Sequence, residues 1–221
     1  MNAHSTGNVA KIVIVTLLLS LTLAGCKSKH TSDSDATVYI VNGIPGSTEL
    51  KATTEDHTFT GPGFGANVLS LHLPAGAYSL GMSAKRSDGA ISPLPPIRIH
   101  PLANHKYALI VQARRASFCP IPVSVKSNES QVTVVNATAD PGAIDITVNS
   151  IVSFAAISSG SASQSTSLEP GTYEIAVLAS GDLFKSLSEP VQLKLRGAKS
   201  YSLFVVGGAS DHGLVTKLIE N

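Results

Sequence analysis

The sequence has no tryptophan, only two cysteines and little charge, and each shortage excludes something. Eleven aromatic residues, five Tyr and six Phe, must serve every core in the chain. Sugar-binding sandwiches commonly present exposed aromatic platforms, so the missing Trp weighs against a carbohydrate module. Asp, Glu, Lys and Arg make up 14% of the residues against 43% hydrophobic ones. That ratio can fill a core and is the reverse of a disordered composition. A net charge of +1 supplies no basic face for a phosphate backbone, so no nucleic-acid partner is expected. The basic pairs Lys85-Arg86 and Arg114-Arg115 are too short to alter this. There is no Gly-x-Ser-x-Gly elbow, phosphate-cradling glycine loop, His-Glu-x-x-His helix or Cys-x-x-Cys pair. No enzymatic activity and no cofactor are expected.

What is present begins with a processing signal. Lys11 is followed by an uncharged run of twelve, Ile12 to Leu23. A membrane-spanning helix needs about 20 apolar residues, whereas twelve suits the central region of a signal peptide. The run ends in Leu23-Ala24-Gly25-Cys26, which resembles the lipobox of bacterial lipoproteins. The resemblance implies cleavage after residue 25, acylation of Cys26 and a membrane partner reached through that anchor. Two or three acyl chains hold stably where one is marginal. Removing residues 1–25 takes away Lys11 alone among the charged residues, leaving 15 basic and 15 acidic side chains. Lys27 follows the cysteine, not the Asp that resembles an inner-membrane retention signal. The expected location is the cell membrane, and the outer membrane where a cell has two. With Cys26 lipidated, Cys119 has no intramolecular partner. Its neighbours Phe118 and Pro120 favour a buried, inert thiol over a reactive one.

Residues 26–36 read as the acylated cysteine and a polar tether, whose ten flexible residues reach about 18 Å root-mean-square. Beyond it the sequence repeats. Val38–Asn42 falls on Val132–Asn136 at an offset of 94, and Lys106–Val111 falls on Ser200–Val205 at the same offset. Leu73–Tyr78 and Pro96–Ile99 have counterparts at Leu168–Tyr173 and Pro190–Leu193. A period of this size is a small domain and not a solenoid unit. Two repeats are assigned, 37–125 and 131–221, joined by a linker at 126–130. Within each the hydrophobic period is two: Leu69, Leu71 and Leu73 alternate with Ser70 and His72, and Tyr173, Ile175 and Val177 with Glu174 and Ala176. Glycine and proline turns interrupt every 8–12 residues, which predicts an all-β chain of two tandem antiparallel β-sandwiches. Tyr78, Tyr107, Tyr173 and Tyr201 open strands just after turns. Their rings are expected to pack inward while each hydroxyl satisfies a loop backbone group. Each repeat is expected to fold alone, the second more stably than the first.

Polar candidates for chemistry are few. Asp140 and Asp145 flank Pro141-Gly142 and could offer oxygens to calcium. The alternative is structural, with Asp140 accepting backbone N–H bonds in the turn and Asp145 facing solvent. His100 and His105 are close in sequence but lack a third ligand and read as surface residues. Glu55-Asp56-His57 contains an acid and a base, but adjacent residues of a strand point to opposite faces. No metal site is assigned.

Asn136–Asn149 resembles the opening signature of a bacterial family, the domain of unknown function numbered forty-three ninety-seven. There a strand ends in an acidic proline turn and a second strand of Val-Asp-Val-Tyr-Val type follows. Pro170–Tyr173 is similar to its Pro-Ala-Gly-Thr-Tyr turn and Tyr201–Gly207 to its closing strand. The second repeat carries the pattern across most of its length. In the first, Asn42–Gly46 stands where the acidic turn would be, and the second strand, Thr48–Ala52, is weak. The resemblance implies exported, often lipidated, tandem immunoglobulin-like sandwiches and brings no chemistry with it. The expected function is that of a non-enzymatic surface or periplasmic interaction module, with an envelope protein or glycan as partner. The competing expectation is a lipoprotein that binds a small ligand: a glycan, a peptidoglycan fragment or a divalent ion.

Overall fold

The computed structural model describes residues 35–123, 128–140, 142–208 and 213–221. Residues 1–34, with Cys26, the assigned signal and all but the last two residues of the tether, lie outside these, as do residues 126 and 127 of the linker. The described residues form strands and no helix. The first repeat comprises β1 (Ala36–Asn42), β2 (Ser47–Thr53), β3 (Thr58–Pro62), β4 (Leu69–Leu73), β5 (Tyr78–Arg86), β6 (Ile91–Ile99), β7 (Lys106–Gln112) and β8 (Arg115–Ile121). The second comprises β9 (Ser130–Asp140), β10 (Ala143–Val148), β11 (Ile151–Ser158), β12 (Ser161–Ala162), β13 (Thr166–Leu168), β14 (Gly171–Ala179), β15 (Val191–Leu195), β16 (Lys199–Gly208) and β17 (Gly213–Glu220). The strands β1 and β9 each begin one residue before the range assigned from sequence, and Ala36 is already fully buried.

Each repeat is a sandwich of two sheets. In the first, β4-β1-β7-β8 packs on β3-β2-β5-β6; in the second, β12-β9-β16-β17 packs on β11-β10-β14-β15. Val38, Ile40, Leu109 and Val111 from one sheet meet Leu50, Ala52, Leu80 and Met82 from the other. Val134, Leu203 and Val205 meet Ile144, Ile146, Ile175 and Val177 in the second core. Pairing is antiparallel except in one place per repeat. β1 runs parallel to β7, and β9 runs parallel to β16. The opening strand is inserted between two neighbours that run in opposite directions, so it must lie parallel to one of them. The second strand of the first repeat, weak in sequence, forms fully. Leu50 and Ala52 reach the core while Lys51 and Thr53 stay in water, and β3 and β5 flank it.

The layer the alternation does not announce is the third. β1, β7, β9 and β16 are buried on both faces. Their second faces form a shared core of Tyr39, Val41, Ala108, Ile110, Val135, Ala137, Phe204 and Val206. The two sandwiches are therefore fused face to face into four sheet layers, and the described residues belong to one compact unit. Tyr39 and Phe204 meet edge to face with ring centroids 5.8 Å apart. Burial pushes the Tyr39 hydroxyl pKa up, and that hydroxyl donates to Asn221 Oδ1 at 3.1 Å, joining one repeat to the other.

The backbones also approach closely. A Cβ on Gly43 would sit 2.7 Å from the carbonyl oxygen of Ala137, so only glycine fits there without separating the repeats.

The tyrosines do what their positions predict. Tyr78 donates to Pro74 O at 2.9 Å and Tyr173 to Glu169 O at 2.8 Å, each four residues back. The backbone N–H of Leu102 donates to Tyr107 Oη at 3.1 Å and that of Arg196 to Tyr201 Oη at 2.9 Å. These are the same bonds in both repeats, of the kind that pins immunoglobulin-like corners. Tyr201→Phe strands the Arg196 N–H beneath a buried ring and should cost about 1 kcal/mol, read as a lower urea midpoint at unchanged slope.

Candidate functional site

The strands β1 and β9 run in the same sense. Gln112 and Gly43, at the finishing end of the first repeat, lie against Thr138 and Ala137 of the second. One end of the body therefore gathers the turns 43–46, 63–68, 87–90 and 113–114 with 159–160 and the long β14–β15 loop, 180–190. The start of β1 is at the opposite end.

At the loop-bearing end a polar latch crosses between repeats. Gln112 Nε2 donates to Thr138 O at 2.8 Å and to Ser159 Oγ at 2.6 Å. Arg115 Nε donates to Gln112 Oε1 at 2.7 Å and an Arg115 Nη donates to Ser159 O at 2.6 Å. Gly160 has a φ of +77°, where a side chain is strained, and a Cβ there would crowd Ser117 Oγ at 3.0 Å. Above the latch lies an open groove of about 420 Å³ lined by Pro45, Ala113, Arg114, Arg115, Ala139 and Ser159. No carboxylate lines it, and no ion pair holds Arg114 among the described residues. A second groove, of about 360 Å³, runs along β11 and β12 and is lined mostly by Ser, Ala, Gln and Thr.

Two buried asparagines hold the turns that lead into this end. Asn136 donates to Ile157 O at 2.8 Å and accepts the N–H of Thr138 at 2.9 Å. Asn42, its counterpart in the first repeat, donates to Pro62 O at 2.9 Å and accepts the N–H of Ile44 at 3.1 Å. The first repeat departs from the acidic turn yet keeps the side chain that builds it, and sequence reading missed this role for both residues. Their signal was the repeat alignment itself, which places one Asn on the other.

The two aspartates exchange the roles expected of them. Asp140 is exposed at the end of β9. Asp145 is 6% exposed: Oδ1 accepts the N–H of Ala156 at 2.6 Å and Oδ2 that of Gly181 at 3.1 Å. The reason is tertiary. β10 is an inner strand, and the β14–β15 loop folds over its outer face. Ala156, with φ of +52°, sits where the β10–β11 register shifts, and Asp145 supplies a partner for its N–H. Burial raises the Asp145 pKa, but the bonds from Ala156, Gly181 and Ser180 outweigh it, leaving the carboxyl below its ordinary value. Both oxygens being engaged, Asp145 is a structural tie and not half of an oxygen cage with Asp140. No group of three or more His, Cys, Asp or Glu among the described residues is arranged to hold a metal ion.

The remaining candidates stay apart. His100 is exposed, and His105 Nδ1 lies 2.7 Å from Ala103 O with its ring stacked on Tyr107. Glu55, Asp56 and His57 are exposed in the β2–β3 turn, where His57 stacks on Phe59. Cys119 is half-buried at the seam, its thiol 3.5 Å from Gly160 O, and burial pushes its pKa up, which suits an unreactive thiol.

Residues 130–221 match the family described as "Domain of unknown function (DUF4397)". No curated protein matches the chain. Among solved structures, the Bacillus anthracis TIE protein is similar at 13% identity and a TM-score of 0.26. The match covers 78% of this chain and 34% of that one, so the chain spans about a third of its length. A candidate cell adhesion protein from Bacteroides fragilis is similar at 11% identity and a TM-score of 0.23, with 80% and 84% covered. Superpositions this loose carry no argument about function.

Proposed function

With its second repeat belonging to the DUF4397 family, the chain acts, we propose, as a non-enzymatic interaction module of the bacterial cell envelope. Acyl chains on Cys26 hold it to a membrane, the outer one in a two-membrane cell. The far end of the two-repeat body meets an envelope protein or glycan. The observation that carries this reading is the shared core between the repeats. It makes one stiff body with chain entry at one end and loops of both repeats at the other. A body joined to an anchor by a short tether presents its opposite end, and loops on a rigid scaffold are where binding residues concentrate.

Cross-linking in intact cells with reagents of different chemistry tests the reading. It expects a discrete product containing this chain and an envelope partner, and recovery of the monomer alone would refute it. The anchor has its own test. Cys26→Ser should abolish incorporation of labelled palmitate and leave uncleaved precursor or soluble export, whereas retained label would overturn the lipoprotein assignment.

A second reading, a lipoprotein that binds a small ligand, is favoured by the groove between the repeats and by Arg114, which no ion pair holds among the described residues. A thermal-shift screen of glycans, peptidoglycan fragments and divalent ions should then raise the melting temperature with at least one compound. No shift with any of them removes it.

A further inference from the structure

We propose that the β14–β15 loop is a docking tip, with Phe184 and Leu183 seating in an apolar pocket of a protein partner. This deepens the interaction-module reading and rests on it. Phe184 is 100% exposed and Leu183 61% exposed. Every other aromatic residue of the chain is buried or half-buried, which leaves Phe184 as the single aromatic presented to solvent.

The exposure is not that of a slack loop. Asp182 N–H donates to Ala179 O at 3.0 Å, Lys185 N–H to Asp182 O at 3.2 Å and Ala179 N–H to Lys185 O at 3.0 Å. The Asp182 carboxylate accepts the N–H of Phe184 itself at 3.1 Å. On the body side, Gly181 is tied to buried Asp145 at 3.1 Å, and Leu187 N–H donates to Val177 O at 2.8 Å. Leu187, three residues beyond Phe184, packs on the core of the second repeat. The loop thus buries the apolar residue on its returning limb and holds the two at its apex away from the protein. A turn already fixed by these bonds has little conformational entropy to lose on binding. A large aromatic entering a pocket is the usual energetic centre of an interface.

Charge selects a protein over a lipid surface. Asp182 and Glu189 outnumber Lys185 within residues 180–190. Membrane-inserting segments in anionic bilayers carry the opposite balance. The tip also lies at the loop-bearing end, opposite the start of β1. The matching pocket has an apolar floor and a basic rim.

The test uses the full chain in its own cells with Phe184 replaced by photoreactive p-benzoylphenylalanine, and with Asp88 of the matching β5–β6 loop replaced as control. The expected result is a discrete protein adduct from position 184 and none from 88. With that partner purified, Phe184→Ser should weaken binding at least tenfold and leave the urea midpoint of the free chain unchanged, because Phe184 touches no core. A phospholipid adduct, an adduct to a second copy of the chain, no adduct, or undiminished binding by Phe184→Ser would each overturn the proposal. Because the chain lacks Trp, Phe184→Trp adds a single indole that can be excited apart from the five Tyr. Its emission should not move with vesicles of phosphatidylethanolamine and phosphatidylglycerol, and a blue shift would show lipid insertion instead. A partner captured by general cross-linking but never through position 184 sinks the tip while leaving the interaction module standing.

Discussion

Phe204→Ala should lower the unfolding free energy by about 3–5 kcal/mol, the usual cost of emptying a fully buried aromatic site. Phe204 has no solvent exposure and lies in the core between the two sandwiches, edge-on to Tyr39. Its neighbours there, Val135, Ala137, Val206, Val41 and Ile110, sit on four strands of two facing sheets and cannot collapse into the gap without shifting both sheets. Urea melts followed by circular dichroism read the loss. The same variant should raise hydrogen exchange in β1 and β7, which belong to the other repeat. A response confined to the second repeat would mean that the shared core does not couple them. The expectation from sequence that each repeat folds alone is modified accordingly. A fragment of residues 128–221 keeps its own sandwich core but lays bare Val135, Ala137, Phe204 and Val206. It should self-associate on sizing, since contiguous apolar faces of this kind do not stay in water.

Asp145 gives the second large effect. Asp145→Ala leaves the N–H groups of Ala156 and Gly181 without their acceptor and should cost about 2–3 kcal/mol, the range for stranding buried donors. Asp145→Asn keeps the shape but turns an amide N–H₂ towards one of those donors, and should cost about 1–2 kcal/mol at neutral pH. The pH dependence has a definite sign. The folded carboxyl titrates below its ordinary value, so its contribution is complete above the unfolded pKa of about 3.9. It is lost as the pH falls through the lower folded value. Wild type and Asp145→Asn should therefore differ at pH 7 and converge towards pH 2. Equal midpoints at pH 7 would show that water replaces the carboxylate. In Asp145→Ala the loop above Gly181 should also exchange its amide protons faster, because one of its ties to the body is gone.

The chain's own pattern determined the all-β class, the near-94-residue repeat and the inward faces of β4 and β14. Period-two alternation reports directly which side chains leave water. It also determined the roles of Tyr78, Tyr107, Tyr173 and Tyr201, since a ring and a hydroxyl just after a turn can be satisfied in few ways. The fusion of the repeats was written less plainly. Val38–Val41, Lys106–Val111, Val132–Val135 and Ser200–Val205 are nearly continuous apolar runs. Such runs mean burial on both faces, but they do not say what lies on the second face. Only the tertiary structure decided that it is the other repeat. The same holds for the aspartates. Whether an acid on a strand meets water or two backbone donors depends on a loop more than thirty residues away folding over it, as Gly181 does over Asp145. Local sequence carries no record of that contact, and this is why Asp140 and Asp145 exchanged the places expected of them.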